Sequence, residues 1–286
     1  MKWERGRRSS NVDDRRGQGV SRGVVVGGGG LGVVVLAVVV ALLGGDPGVI
    51  LEQASRAPSS APQTAPRPAA EDELAEFVSV VLADTEDTWN TLFQQEMNAD
   101  YPEPTLVLFT GRVESACGLG QAAMGPFYCP ADQQVYVDLS FYDDLKNQLG
   151  APGDFAQAYV IAHEVGHHVQ NVLGISDQVR QQQRQVSEAQ ANELSVRLEL
   201  QADCLSGVWA YHAQDSQNVA LERGDIQEAL NAASAIGDDR LQQKSRGYVT
   251  PDSFTHGTSE QRVRWFTRGI ETGDVNQCNT FDTANL

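Results

Sequence analysis

The stretch "IAHEVGHHVQ", residues 161–170, lies inside the longer run "GDFAQAYVIAHEVGHHVQNVLG", residues 153–174. Asp154 stands where a helix N-cap is expected and Gly174 where a helix stops. The positions around the motif, Val160, Ile161, Ala162, Val165, Gly166 and Val169, carry no charge, which suits a helix buried in a core. Helical residues four apart share a face. His163 and His167 can therefore grip one metal ion together. Glu164, one step from His163, can reach a metal-bound water without ligating the metal. That division of labour is the chemistry of the H-E-x-x-H metallohydrolase pattern. The competing interpretation is a histidine-rich turn of an ordinary helix.

Zinc in a catalytic site takes three protein ligands and leaves one place for water. Glu199, in "ELQAD" (199–203), supplies the third on a separate predicted helix. Asp203 follows it by four residues and shares its face. Asp203 is then placed to accept a hydrogen bond from a ligating histidine, His163, and to fix its tautomer. Taken without the motif, Glu199 and Asp203 would read as two solvated acids. One Zn2+ is expected, since a His/His/Glu set with an open position favours zinc. His168 points about 100° away around the helix and is expected to be buried or to support the site without ligating. His212 reads as structural. His256, in "FTHGTSEQR" between a loop and a helix start, is a candidate donor to the oxyanion that forms on a scissile carbonyl. Helix capping or packing is its alternative.

Charge and hydropathy divide the chain of 286 residues with net charge −17. Residues 1–22 hold seven basic against three acidic side chains, and residues 71–286 hold 12 against 33. So acidic a chain does not suit a phosphate backbone, and nucleic acid is excluded as a partner. Residues 23–45, "GVVVGGGGLGVVVLAVVVALLGG", carry no charge and are long enough to cross a bilayer. The alternative is a cleaved signal peptide, whose apolar region is usually shorter. Basic residues precede the run, so the expected topology is a cytoplasmic tail (1–22), one transmembrane helix (23–45), a Pro/Ala/Ser-rich linker (46–70) and a folded domain outside the cytoplasmic membrane (71–286). The four cysteines, Cys117, Cys129, Cys204 and Cys278, agree with export and favour two disulfides. Three pairings are open. Cys117 with Cys129 is the local one, and it leaves Cys204 with Cys278.

Within the domain, helical spacing is expected over 71–96, 153–174, about 187–212, 225–237 and from 256 to 270, where Thr258 and Gln261 have capping-box spacing. "PTLVLFT" (104–110) and "QQVYVDLS" (133–140) read as strands. The fold class is therefore α+β, mainly helical with a small sheet.

Five pieces, "GPFYCPADQQVYVDLSF", "AYVIAHEVGHHVQNVLG", "RLELQADCLSGVWA", "AIGDDRLQ" and "FTHGTSEQRVRWFTRG", occur in the order found in the bacterial family of putative neutral zinc metallopeptidases, which the chain resembles over residues 71–286. The resemblance implies a membrane-anchored, zincin-like metallopeptidase domain with a gluzincin-like site: zinc at His163, His167 and Glu199, with Glu164 as catalyst. "THGTSEQR" also resembles the T-H-P-x-x-x-x-R segment of CaaX-type membrane zinc proteases, which makes His256 and Arg262 candidates for the active site. Gly257 stands in place of the proline there. The expected activity is hydrolysis of peptide bonds in proteins or peptides of the envelope, with a strand edge offered to an extended substrate. The reading from another class is a tethered zinc-containing domain that binds a partner and cleaves nothing.

Overall fold

In the computed structural model, the described residues are 1–17, 69–283 and 285–286. The apolar run 23–45 and nearly all of the linker lie outside them. Among the described residues no helix is long and apolar enough to cross a membrane.

The domain opens with strand β1 (Val12–Asp14) and helix α1 (Ala69–Leu92), which runs on into a wider turn at Phe93–Met97. Strands β2 (Thr105–Phe109), β3 (Arg112–Ser115), β4 (Gly118–Gln121), β5 (Phe127–Cys129) and β6 (Gln134–Asp138) follow. Then come α2 (Ser140–Asn147), α3 (Asp154–Val172), α4 (Ile175–Gln183), α5 (Glu188–Ala213), α6 (Asp225–Ala235), α7 (Asp238–Arg246) and α8 (Ser259–Thr272). The two strands and five helices expected from the sequence are present. The chain is mainly helical with a small sheet.

That sheet has the order β1-β2-β6-β5, parallel except for the antiparallel β5–β6 pair. Side chains alternate across a strand. Leu106, Leu108, Val135 and Val137 thus enter the main core under the helices. Val107, Phe109 and Tyr136 form a second, smaller core with Val113. Val113 belongs to the β3–β4 hairpin, and a Cys117–Cys129 disulfide ties that hairpin to β5. The other bridge joins Cys204 on α5 to Cys278 near the C-terminus. Helices α5 and α8 cross closely at two facing glycines. A Cβ on Gly207 would stand 2.2 Å from Phe266 O, and one on Gly269 would stand 2.0 Å from Cys204 O.

Two expectations need correction. Asp154 is the first residue of α3, and Gly153 takes the cap position without a side-chain hydrogen bond. The Asp154 carboxylate instead receives the α-ammonium of Met1 at 2.8 Å. The second concerns residues 1–16, which belong to the same folded unit as residues 68–286 and are not a tail apart from it. The cause is a buried carboxylate. Glu86 on α1 is 1% exposed, and the N-terminal segment supplies its partners: Arg7 Nη2 at 3.0 Å, Ser9 Oγ at 2.5 Å and Asn11 Nδ2 at 2.8 Å. β1 then pairs in parallel with β2 from Val12 opposite Leu106 to Asp14 opposite Leu108. Arg7, Arg8 and Arg16 of this segment pair with Glu86, Asp87, Glu76 and Asp72 of α1, so part of its basic bias is matched by the domain.

Gly6 reports on that docking, because a Cβ there would meet Asn218 O at 2.3 Å and Val80 Cγ1 at 2.5 Å. Gly6→Ala should cost about 1–3 kcal/mol as overpacking. Chemical denaturation of the full chain measures it, and an unchanged midpoint would show that residues 1–16 hang free.

Candidate metal centre

Helix α3 presents His163 and His167 one turn apart, and α5 lays Glu199 across them. His163 Nε2 stands 3.2 Å from Glu199 Oε2, and His167 Nε2 stands 3.4 Å from Glu199 Oε1. One ligand atom from each of the three lies within 4.8 Å of the others. The Nδ1 atoms are engaged elsewhere: His163 with Asp203 Oδ1 at 2.9 Å, His167 with Gln170 Oε1 at 2.9 Å. Both rings thus turn Nε2 toward the common point. Two imidazole nitrogens and one carboxylate, all from residues that line one cavity, make a donor set that fits zinc.

The charges around this point hold one another. Burial opposes a proton on His163, but Asp203 outweighs it and lifts the imidazole to about 9. Glu199 acts the same way on His167, against burial, and raises it. Burial pushes the Glu199 carboxyl up, and the two histidines more than reverse this, holding it well below the usual carboxylate range.

Asp203 has no solvent exposure and is fully partnered. Arg262 grips it with Nε and Nη2, each at 2.9 Å, and the Tyr159 hydroxyl donates at 2.5 Å. Arg262, from α8, thus reaches the site through Asp203 and Tyr159, and its side chain also borders the cavity in front of the triad.

That cavity measures about 530 Å³ and is lined by His163, His167, Glu199, Glu164 and His256 among others. His256 is about half exposed. Its backbone N–H donates to Asp238 Oδ2, as do those of Thr255 and Gly257, and its Nδ1 lies 3.3 Å from Asp238 Oδ1. One carboxylate at the start of α7 thereby shapes the whole loop that carries His256. His168 faces the other way, with Nε2 donating to Pro102 O and Nδ1 accepting from the Tyr128 hydroxyl. His212 Nε2 lies 3.2 Å from Gly273 O, away from the triad. A second acidic cluster, Asp154, Asp225 and Glu228, could by spacing hold a cation, but the α-ammonium of Met1 ion-pairs with two of its members.

Sequence reasoning missed Gln170, Gln201, Tyr159 and Asp238. Asp238 had a signal, since it sits in "AIGDDRLQ". Gln170 had a weaker one, three residues after His167 on the same helix. Tyr159 and Gln201 had none that distinguishes them from core residues.

The chain belongs to the family described as "putative neutral zinc metallopeptidase", whose model matches residues 1–281 and so takes in the docked N-terminal segment. Among its relatives, the "Uncharacterized protein YpfJ" of Escherichia coli (strain K12) is 54% identical over 98% of this chain and 99% of its own length. The "Uncharacterized protein Rv2575" of Mycobacterium tuberculosis (strain ATCC 25618 / H37Rv) is 46% identical over 65% of each chain. No solved structure matches.

The Asp238 hydrogen bond raises the His256 pKa above its usual 6.5, against burial. A raised folded pKa stabilises the protein below 6.5, and the contribution is lost as pH rises through the folded value. Histidine NMR titration of the folded chain should place His256 above 6.5, and Asp238→Asn should bring it back. A His256 that titrates at its usual value in the parent would refute the coupling.

Proposed function

We propose that this protein is a peptidase using one zinc ion, with Glu164 as general base and then general acid. The observation that carries the reading is the convergence of His163, His167 and Glu199 on one point, in the wall of a cavity that Glu164 also lines. Zinc, when bound, supplies Lewis acidity and a water that ionises near neutral pH. Glu164 takes a proton from the attacking water and hands it to the leaving amine. His256, held by Asp238, donates to the carbonyl oxygen as negative charge builds there. Strand β5 is an edge of the sheet, and its Phe127 and Tyr128 border the same cavity. An extended peptide can add to that edge while its scissile bond lies over the triad.

Two observations support our reading of the compartment. Paired cysteines favour an oxidising location outside the cytoplasm. Residues 1–16 share the domain's fold. We therefore place the N-terminal segment and the domain on one side, facing protein or peptide substrates of the envelope. Cysteines substituted at exposed Lys2 and Glu260 test this. An impermeant maleimide added to spheroplasts should label both, whereas labelling at position 260 alone would restore the single crossing.

Glu164→Gln decides between hydrolysis and partner binding. The variant should keep its zinc, measured by elemental analysis, and lose about 10²–10⁴-fold in the rate of cleaving a diverse peptide pool read by mass spectrometry. A parent that holds zinc and cuts nothing in that pool would favour the non-catalytic reading.

A further inference from the structure

We infer that Gln170 and Gln201 form a one-way hydrogen-bond relay that fixes His167 as its Nδ1-protonated tautomer and so aims Nε2 at the metal. This rests on the metal-binding part of the function proposed above and on none of its catalytic part.

The direction of the relay is set from its far end. The backbone carbonyl of Cys278 can only accept, and Gln201 Nε2 donates to it at 3.0 Å. That orientation turns Gln201 Oε1 toward Gln170. Gln170 Nε2 donates to it at 3.1 Å and to the carbonyl of Leu198 at 2.7 Å. A second acceptor-only group thus fixes the second amide. Gln170 Oε1 is left facing His167 Nδ1 at 2.9 Å, and an amide oxygen only accepts. Nδ1 must therefore carry a proton, so the neutral ring, the form that binds a metal, has its lone pair on Nε2, the nitrogen on the side of Glu199. Reversing either amide would press oxygen against a carbonyl oxygen, with little water to relieve it: Gln170 is 0% exposed and Gln201 6%.

The anchor is itself built into the fold. Cys278 closes a 3₁₀ turn, Val275–Cys278, and its disulfide to Cys204 pins that turn to α5, which also carries Gln201. The relay therefore links the second histidine to the C-terminal end of the chain. His163 and His167 are oriented by different means: an ionised carboxylate for the first, two neutral amides for the second. Gln170 and Gln201 touch no substrate in this arrangement, and they act as positioning residues.

The test uses the full chain, its Gln170→Met and Gln201→Met variants, and zinc as the probe. Competition with a chromophoric chelator should show zinc bound about 10–100-fold more weakly in Gln170→Met, and weakened in the same direction in Gln201→Met. Circular dichroism of the metal-free forms checks that the variants fold. A purely structural role would leave the tautomer alone, so the parent loaded with zinc is also examined by ¹⁵N NMR of its histidines. The expected spectrum shows His167 protonated at Nδ1 and coordinated through Nε2. Coordination through Nδ1, or folded variants that bind zinc within about twofold of the parent, would overturn the relay. A parent that takes up no zinc would overturn the relay and the metal site together. None of these readouts needs a peptide to be cut, so a failure of the catalytic reading leaves them standing.

Discussion

Moving Asp203 out of water costs several kcal/mol unless its oxygens find replacement donors, an order of magnitude set by the desolvation of a buried ion. The fold answers with four donors from two helices. Tyr159 and His163 come from α3, and two guanidinium N–H groups come from Arg262 on α8. Each donor depends on the others' backbones being in place. Arg262 reaches Asp203 because α5 and α8 touch at Gly207 and Gly269, where any side chain would push them apart. The pair is also brittle. Removing either partner leaves an uncompensated charge in a dry interior, which is worse than never having had the pair. A carboxylate so held cannot drift, and neither can the imidazole leaning on it.

The same physics explains why the first residues of the chain join the domain. Glu86 is another carboxylate at the protein interior, on the buried face of α1. Its partners come from a segment distant in sequence, and β1 completes the attachment by pairing with β2. Arg16 then donates to the carbonyl of Glu71, drawing together the two ends of the described chain around residues 18–68. Composition alone could not reveal this. A basic stretch before an apolar run has a ready explanation in membrane topology, and nothing local marks Arg7, Ser9 and Asn11 as ligands of one buried oxygen pair.

What could be read from the sequence follows from where the determining forces act. Helices α3 and α5 were legible because helical periodicity is local and the H-E-x-x-H spacing maps onto one face. The Thr258–Gln261 capping box was legible for the same reason and is present in full. The pairing of Asp203 with His163 was legible because Glu199 and Asp203 are four apart, so that the two carboxylates that meet the histidines share a face. Strand β1, the β3–β4 hairpin and helix α7 were not. The hairpin is short and half-exposed, with glycine at two of β4's positions, Gly118 opposite Ser115 and Gly120 opposite Val113, and a disulfide and the underside of the sheet hold it rather than strand propensity. Asp238 works through three backbone N–H groups 17 to 19 residues away, a contact that only the tertiary fold brings about.

Charge balance accounts for the unequal treatment of the two histidines. Asp203 and Arg262 cancel. A divalent ion held by His163, His167 and Glu199 would be matched in charge by Glu199 and Glu164, so the loaded site would carry no net charge. A carboxylate behind His167, mirroring Asp203, would add an unbalanced negative charge to a buried region, and burial of unpaired charge is what protein interiors avoid. A neutral amide can still accept from Nδ1, but it is a weaker director, because its two ends can exchange places. The backbone carbonyls of Leu198 and Cys278 remove that freedom. They give Gln170 the single orientation that a carboxylate would have had by symmetry, without adding a charge. Both imidazoles are held in this way with no charge added behind His167, and the anchor of the second lies at the Cys204–Cys278 bridge, far from it in sequence.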